Sequence, residues 1–250
     1  MRPHARVWGD GAYLLIHCAL AHAGVLSPLA ERLPGGAVGF DLPGHGKSPP
    51  WDACQDYQAQ AVAWAAAMRD APGPVLGHSF GGTVALRFAL DHPERVTRLV
   101  LVEPVYFAAL RVHDAPAYAA YQARFQPILD AYEGGDFHQM AARFTAMWGG
   151  APWATLPARF KDALARQMPL IIAQGQGIDA DTGGVFAPGR LGALGCPVTL
   201  LRGSDSDASV AAIHAVLMRL IPGAVEHVIE GAGHMSPMTH TDELARLIQP

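Results

Sequence analysis

A tight serine-containing turn between an apolar run and a helical stretch constrains the fold of this chain most strongly. Residues 77–81 read GHSFG, which fits the pattern G-x-S-x-G, and they directly follow an apolar run at 74–76. A helix is predicted for residues 82–90, immediately after the turn. Side chains at the flanking positions would collide in so sharp a turn, and Gly77 and Gly81 remove them. The order of strand, turn and helix predicts a buried strand that presents Ser79 at a sheet edge.

Short apolar runs alternate with helical stretches along most of the chain. The runs are bounded by Gly, Pro and Asp, which is typical of buried strands, and the stretches are rich in Ala, Leu and Met. This alternation predicts an α/β fold with a mostly parallel sheet flanked by helices. The predicted strands are 12–16, 37–40, 74–76, 98–102, 198–201 and 225–229, and the predicted helices between them are 57–68, 82–90, 210–220 and 242–248.

Residues 104–196 break the alternation because they contain no convincing strand. They hold helical candidates at 115–132, 137–148 and 157–172. We therefore predict a helical cap, or lid, inserted into a core formed by residues 1–103 and 197–250. Its aromatic residues suffice to pack on the sheet and to line an apolar pocket; they are Phe107, Tyr118, Tyr121, Phe125, Trp148, Trp153 and Phe160.

Composition and charge limit the class of partner. The formal net charge is −4 and no run of Lys or Arg occurs, so the electrostatic pattern of a nucleic-acid or anionic-membrane binder is missing. A small molecule is the expected partner, and we expect neither a signal peptide nor a membrane span. Cys18, Cys54 and Cys196 form no CxxC pair, which favours reduced thiols in a cytoplasmic protein. No metal-ligand spacing occurs, so neither metal nor cofactor is predicted.

Four segments, in chain order, resemble the α/β-hydrolase superfamily, and together they extend the resemblance over nearly the whole chain. Residues 16–19 (IHCA) resemble its His-Gly-x turn, with Cys18 in place of the glycine. Residues 41–48 (DLPGHGKS) resemble its D-x-P-G-x-G-x-S loop. Residues 77–81 resemble its nucleophile elbow, and residues 231–234 (GAGH) resemble the loop that carries its catalytic histidine.

The resemblance implies a serine hydrolase with no cofactor. Ser79 would be the nucleophile, and His234 would act first as general base and then as general acid. The backbone amides of Ala19 and Phe80 would form the oxyanion hole, with the amide of Leu20 as a reserve donor.

The acid that completes the triad has two candidates. Glu103 ends the predicted strand before the cap, a position that some members of the superfamily use for the acid. Asp207 follows the next predicted strand in the sequence GSDSD, where the superfamily often shows G-x-x-D. Asp205, in the same loop, is a further candidate. Both positions suit a carboxylate that holds the histidine in one tautomer, so the sequence leaves the alternatives open.

A serine nucleophile suits acyl transfer to water through an acyl-enzyme. The predicted activity is hydrolysis of a small, hydrophobic carboxylic ester, thioester or lactone. A carbon–carbon bond hydrolase or a cofactor-free perhydrolase could use the same triad, because a fold does not specify a substrate. A ligand-sensing protein with negligible turnover is a further alternative, which turnover of simple esters would exclude.

Overall fold

The computed structural model describes residues 2–249, and its centre is one seven-stranded sheet. The strands are β1 (Ala5–Gly9), β2 (Tyr13–Ile16), β3 (Gly36–Phe40), β4 (Gly73–His78), β5 (Val96–Val102), β6 (Val198–Gly203) and β7 (Val225–Ile229). Their order is β1-β3-β2-β4-β5-β6-β7. Only β1 and β3 pair antiparallel, and all other neighbours are parallel. The predicted fold class, a mostly parallel sheet flanked by helices, is confirmed.

Helices follow most of the strands. They are α1 (Ser27–Ala30), α2 (Tyr57–Met68), α3 (Phe80–Asp91), α4 (Ala108–His113), α5 (Ala115–Glu133), α6 (Phe137–Trp148), α7 (Ala158–Ile178), α8 (Ala208–Leu220), α9 (Ser236–Thr239) and α10 (Thr241–Ile248). The helices α4 to α7 all lie between β5 and β6, in residues 104–196, which we call the helical insertion. Its role as a lid stays a prediction.

The sheet is buried on both faces because alternate residues of each central strand enter different apolar clusters. In β2, Leu14 and Ile16 belong to the larger cluster, whereas Tyr13 and Leu15 belong to a second one. Near-continuous apolar strands of this kind are typical of parallel sheets. Because β4, β5 and β6 are parallel neighbours, their C-terminal ends lie side by side. The candidate site residues come directly after these strand ends.

Several elements differ from the sequence prediction. The strand β1 was not predicted because it lies at the sheet edge and is largely exposed; Val7, for example, is 67% exposed. The short helices α1, α4 and α9 were also not predicted. The helix α7 continues to Ile178, beyond the predicted end at residue 172, although it contains Pro169 and two glycines. Packing of α7 against α2 and α6 accompanies this extension.

Gly81, the last residue of the serine turn, is required by packing. A Cβ atom on Gly81 would overlap the backbone carbonyl oxygens of Ile16 and His17. We expect Gly81→Ala to lower the free energy of unfolding by about 3 kcal/mol or more, because backbone must move to admit the methyl group. Urea denaturation measures the change. Gly192→Ala is the control, since nothing lies within 4 Å of its added Cβ, and an equal loss in both variants would contradict this account.

Candidate active site

Ser79 stands between the end of β4 and the start of α3 in a strained backbone conformation. Its φ is 56° and its ψ is −120°, a region that residues with a side chain rarely adopt. Its amide donates to the carbonyl of Val102 on the adjacent strand, at 2.9 Å. The strain is thus held by the sheet, and it lifts the hydroxyl out of the strand end.

Three side chains from three different loops form one hydrogen-bonded chain. The hydroxyl Oγ of Ser79 lies 2.9 Å from Nε2 of His234. On the other side of the ring, Nδ1 of His234 donates to Oε2 of Glu103 at 2.6 Å. All three residues are buried. With Nδ1 as donor, Nε2 is left as the acceptor for the serine proton.

Glu103 is fully buried at the end of β5 and remains a good acceptor. Burial works against its charge, but hydrogen bonds from His234, Gly203 and Ser206 outweigh burial and lower its pKa below the ordinary value. The amide of Gly203 donates to Oε1 at 2.7 Å, and the hydroxyl of Ser206 donates to the same oxygen. Glu103 also has a positive φ of 50°. The position that the sequence offered as one of two candidates therefore lies against His234.

The structure gives Asp207 a different set of contacts. It caps the N-terminus of α8, where its Oδ1 accepts the amide of Ser209 at 2.8 Å. The same oxygen accepts from Nη2 of Arg124, at 2.7 Å, in the helical insertion. Asp205 is exposed and accepts from the adjacent Ser204 hydroxyl. Neither carboxylate bonds to His234 among residues 2–249, in contrast to Glu103.

Two backbone amides near the serine belong to Ala19, in the loop after β2, and to Phe80, at the start of α3. Ala19 and Phe80 border the same cavity as Ser79. Phe80 is the first residue of α3, where the amide has no acceptor inside the helix. Within the described chain, neither amide donates to a protein acceptor. The amide of Leu20, the reserve donor, is already engaged with Nε2 of His45 at 3.0 Å.

Buried histidines fix the conformation of this loop. Nε2 of His17 accepts the amide of Leu42 at 2.9 Å, and its Nδ1 donates to the carbonyl of Cys18. Burial lowers the pKa of His17 to about 3 and also lowers that of His45, so both rings stay neutral acceptors. Leu20 is held at a positive φ of 60°. Three of the four non-glycine residues with positive φ in the described chain thus lie at this site.

Cys18 and His78 also lie beside the chain of hydrogen bonds. Burial raises the pKa of the Cys18 thiol to about 12, so the thiol stays protonated at neutral pH. Burial lowers the pKa of His78 to about 3, and its Nε2 donates to the carbonyl of His234 at 2.8 Å. His78 therefore contacts the backbone of the loop that carries His234.

A cavity of about 440 Å³ lies beside Ser79, and most of the residues that line it belong to the helical insertion. Its wall is mostly apolar and contains Trp148, whose ring centroid lies 4.9 Å from that of His234. Phe107 and Tyr121 continue this wall with stacked rings 3.6 Å apart. A cavity of this size and lining suits a small, largely apolar molecule.

In the part of the chain from 2 to 249, no group of three or more His, Cys, Asp or Glu side chains could hold a metal ion. No helix in this range has the length and apolar character needed to cross a membrane. The cysteines Cys18, Cys54 and Cys196 are free thiols.

Comparison with known proteins gives a consistent result. The family described as "Alpha/beta hydrolase family" matches residues 13–247. The chain is 31% identical over 248 residues to the pimeloyl-[acyl-carrier protein] methyl ester esterase of Chromobacterium violaceum, covering 94% of this chain and 91% of that relative.

Two solved structures show the same fold at low sequence identity. The enol-lactonase of Burkholderia xenovorans LB400 has a TM-score of 0.72 and 19% identity, covering 98% of this chain and 94% of its own. The 2-hydroxy-6-oxo-6-phenylhexa-2,4-dienoate hydrolase of Rhodococcus sp. strain RHA1 has a TM-score of 0.74 and 18% identity. The match covers 98% of this chain and 92% of that hydrolase.

Proposed function

Because this chain belongs to the alpha/beta hydrolase family, we propose that it hydrolyses small carboxylic esters through Ser79, His234 and Glu103. The observation that carries the proposal is the hydrogen-bonded chain of these three side chains at the floor of an apolar cavity. A nucleophile, a base within hydrogen-bond reach and a carboxylate that orients the base are the parts that acyl transfer needs.

The proposed reaction has two halves. His234 Nε2 takes the proton of Ser79 as Oγ attacks the ester carbonyl, and the resulting imidazolium gives that proton to the departing alcohol. An acyl-enzyme remains on Ser79. Water then attacks the acyl carbonyl with His234 again as base, and the proton returns to Ser79 as the acid leaves. Glu103 stabilises the imidazolium in both halves from Nδ1.

We prefer Glu103 over Asp207 as the acid of this triad because the two carboxylates have different hydrogen-bond partners. Glu103 is paired with His234, and the Gly203 and Ser206 hydrogen bonds keep it ionised. Asp207 is occupied by the helix cap and by Arg124. We assign Asp207 a role in holding α8 and the helical insertion together.

The amides of Ala19 and Phe80 are proposed as the oxyanion hole. Both border the cavity beside Ser79 and have no protein acceptor in residues 2–249. Preorganised backbone donors of this kind stabilise the oxyanion of the tetrahedral intermediate, typically by about 3 kcal/mol per donor. The neutral rings of His17 and His45 hold the loop that carries Ala19.

The proposed substrate is an ester with a short to medium apolar acyl group. The cavity volume of about 440 Å³ and its aromatic wall support this size. The Chromobacterium violaceum relative is a methyl ester esterase, which makes methyl esters, with methanol as the leaving group, the first substrates to test. We propose that the helical insertion serves as the lid over this substrate, because it supplies most of the cavity wall.

Turnover of a matched ester panel tests the proposal. We expect kcat/KM for methyl esters of straight-chain acids to rise with chain length and then to fall once the acyl group outgrows the cavity, because each buried methylene contributes about 0.8 kcal/mol. Acid release at constant pH measures the rate. The absence of turnover for every ester by a folded protein would contradict the proposal and favour a ligand sensor.

A further inference from the structure

One corner of the cavity is polar although the wall around it is apolar. Asp179, at the C-terminal end of α7, borders the cavity together with Tyr118 and Tyr121 of α5. The hydroxyl of Tyr118 donates to Oδ1 of Asp179 at 3.2 Å. We call these three residues the polar corner. None of them takes part in the proposed reaction.

No Lys, Arg or His side chain forms an ion pair with the carboxylate of Asp179 in residues 2–249. Arg111 lies close, but its Nε donates to the backbone carbonyl of Asp179, at 2.8 Å, and its Nη2 donates to that of Ala180. The other carboxylate oxygen, Oδ2, accepts no hydrogen bond within the described chain. This oxygen is not shut off from water, so a donor group on a molecule in the cavity would replace water as its hydrogen-bond partner.

The titratable and charged groups that face Asp179 are few. Tyr118 and Tyr121 face it from α5, and Arg111 faces it from α4. Burial raises the pKa of Asp179 to about 6, because the Tyr118 hydrogen bond and the Arg111 charge only partly offset the loss of water. The carboxylate is therefore mostly ionised at neutral pH and mostly protonated well below pH 6.

The aromatic wall links this corner to the reactive centre. Trp148 packs beside His234, Phe107 lies 6.0 Å from Trp148, and Tyr121 stacks on Phe107. Tyr118 follows, with its ring 6.2 Å from that of Tyr121. One molecule lying along this wall would contact Ser79 at one end and the polar corner at the other.

We propose that the polar corner is a specificity subsite, in which Asp179 accepts a hydrogen bond from an ammonium or hydroxyl group on the substrate. This inference rests on the proposed ester hydrolysis and specifies its substrate class, an ester with a donor group remote from the scissile bond. Charge-assisted hydrogen bonds are stronger than neutral ones, so an ammonium group gains more than a hydroxyl group.

Paired esters test the subsite. The readout is the ratio of kcat/KM for an ω-amino ester to that for the unsubstituted ester of equal length. Series that carry the amino group on the acyl side and on the alcohol side are both measured, over several chain lengths. In at least one series we expect Asp179→Asn to lower the ratio about tenfold or more, since it removes a charge-assisted hydrogen bond. Because both esters use the same triad, the ratio cancels any effect on His234.

Two further variants separate recognition from structural support. Tyr118→Phe removes the same α5 to α7 hydrogen bond, which lowers the pKa of Asp179, but it keeps the carboxylate. Measured at a pH well above 6, where Asp179 is ionised, the ratio should therefore stay within about threefold of wild type. Asp162→Asn changes an exposed carboxylate on the same helix, away from the cavity wall, and should leave the ratio unchanged. The wild-type ratio should also fall as pH decreases through about 6, whereas that of Asp179→Asn should stay flat.

Each outcome gives a decision. Equal ratios in wild type and Asp179→Asn, in all series, would overturn the subsite while leaving ester hydrolysis intact. An equal loss in Tyr118→Phe and Asp179→Asn would also overturn it, because Asp179 would then act only as a structural tie. Failure of every ester to react would contradict the proposed function itself and the subsite with it.

Discussion

Replacing Ser79 with alanine is expected to lower kcat by at least about 10⁴-fold for every ester that the wild type hydrolyses. Alanine removes the oxygen that forms the proposed acyl-enzyme, while His234, Glu103 and the cavity remain. Residual hydrolysis would come from bound water and the backbone amides. Steady-state kinetics with the best ester of the panel measures the loss.

The backbone strain at residue 79 predicts a companion effect on stability. The sheet holds this residue at φ 56°, and alanine has the same Cβ atom as serine, so the variant should keep the fold and unfold within about 1 kcal/mol of wild type. A folded Ser79→Ala protein that retains more than about a tenth of the wild-type kcat would contradict the nucleophile assignment.

Glu103→Gln is expected to lower kcat by about 10⁴-fold, and Asp207→Asn to change it by less than about threefold. A glutamine amide keeps the size of the side chain but can present a donor to His234, which favours the wrong tautomer and removes the charge that stabilises the imidazolium. Asparagine at position 207 still caps α8 and loses only a partly exposed ion pair with Arg124.

The two variants form a matched pair, since each replaces one carboxylate by its amide. Equal unfolding free energies are not required, but both proteins should be folded by circular dichroism. A reversed order, with Asp207→Asn inactive and Glu103→Gln active, would show that the hydrogen bonds of Glu103 support the fold and not the reaction.

Most of the fold could be predicted because its central strands are buried on both faces. Six apolar runs in the sequence correspond to β2 to β7, and the serine turn marks the junction of β4 and α3. The antiparallel strand β1 could not be predicted, since an exposed edge strand carries no continuous apolar pattern. The predicted end of α7 was wrong because a proline and two glycines favour an earlier helix end. Packing of α7 against its neighbours outweighs this preference.

The choice between the two carboxylates depended on three-dimensional structure. Both Glu103 and Asp207 follow the C-terminal ends of neighbouring parallel strands, so sequence spacing places them at the same sheet edge. The Ser206 hydroxyl and the Gly203 amide turn toward Glu103, whereas Asp207 turns to its own helix. One sequence signal could have favoured Glu103. Asp207 lies shortly before the predicted helix and is a residue type typical of a helix N-cap, and a carboxylate used as a cap is less available to the histidine.

Asp179 had no sequence signal as a site residue. It lies beyond the predicted helix of residues 157–172, in a segment without any motif. Its position on the cavity arises because α7 extends to Ile178 and packs so that its C-terminal end meets α5. Sites formed by helix packing of this kind depend on element ends, which sequence patterns locate least well.

Covalent labelling tests the central claim most directly. Wild-type protein and Ser79→Ala are treated with an organophosphonate that carries a short alkyl chain, and intact mass spectrometry followed by peptide mapping locates the adduct. We predict one adduct on wild type, located on Ser79, and none on Ser79→Ala. A folded wild-type protein that forms no adduct, or an adduct of equal yield on Ser79→Ala, would contradict the assignment of Ser79 as the nucleophile.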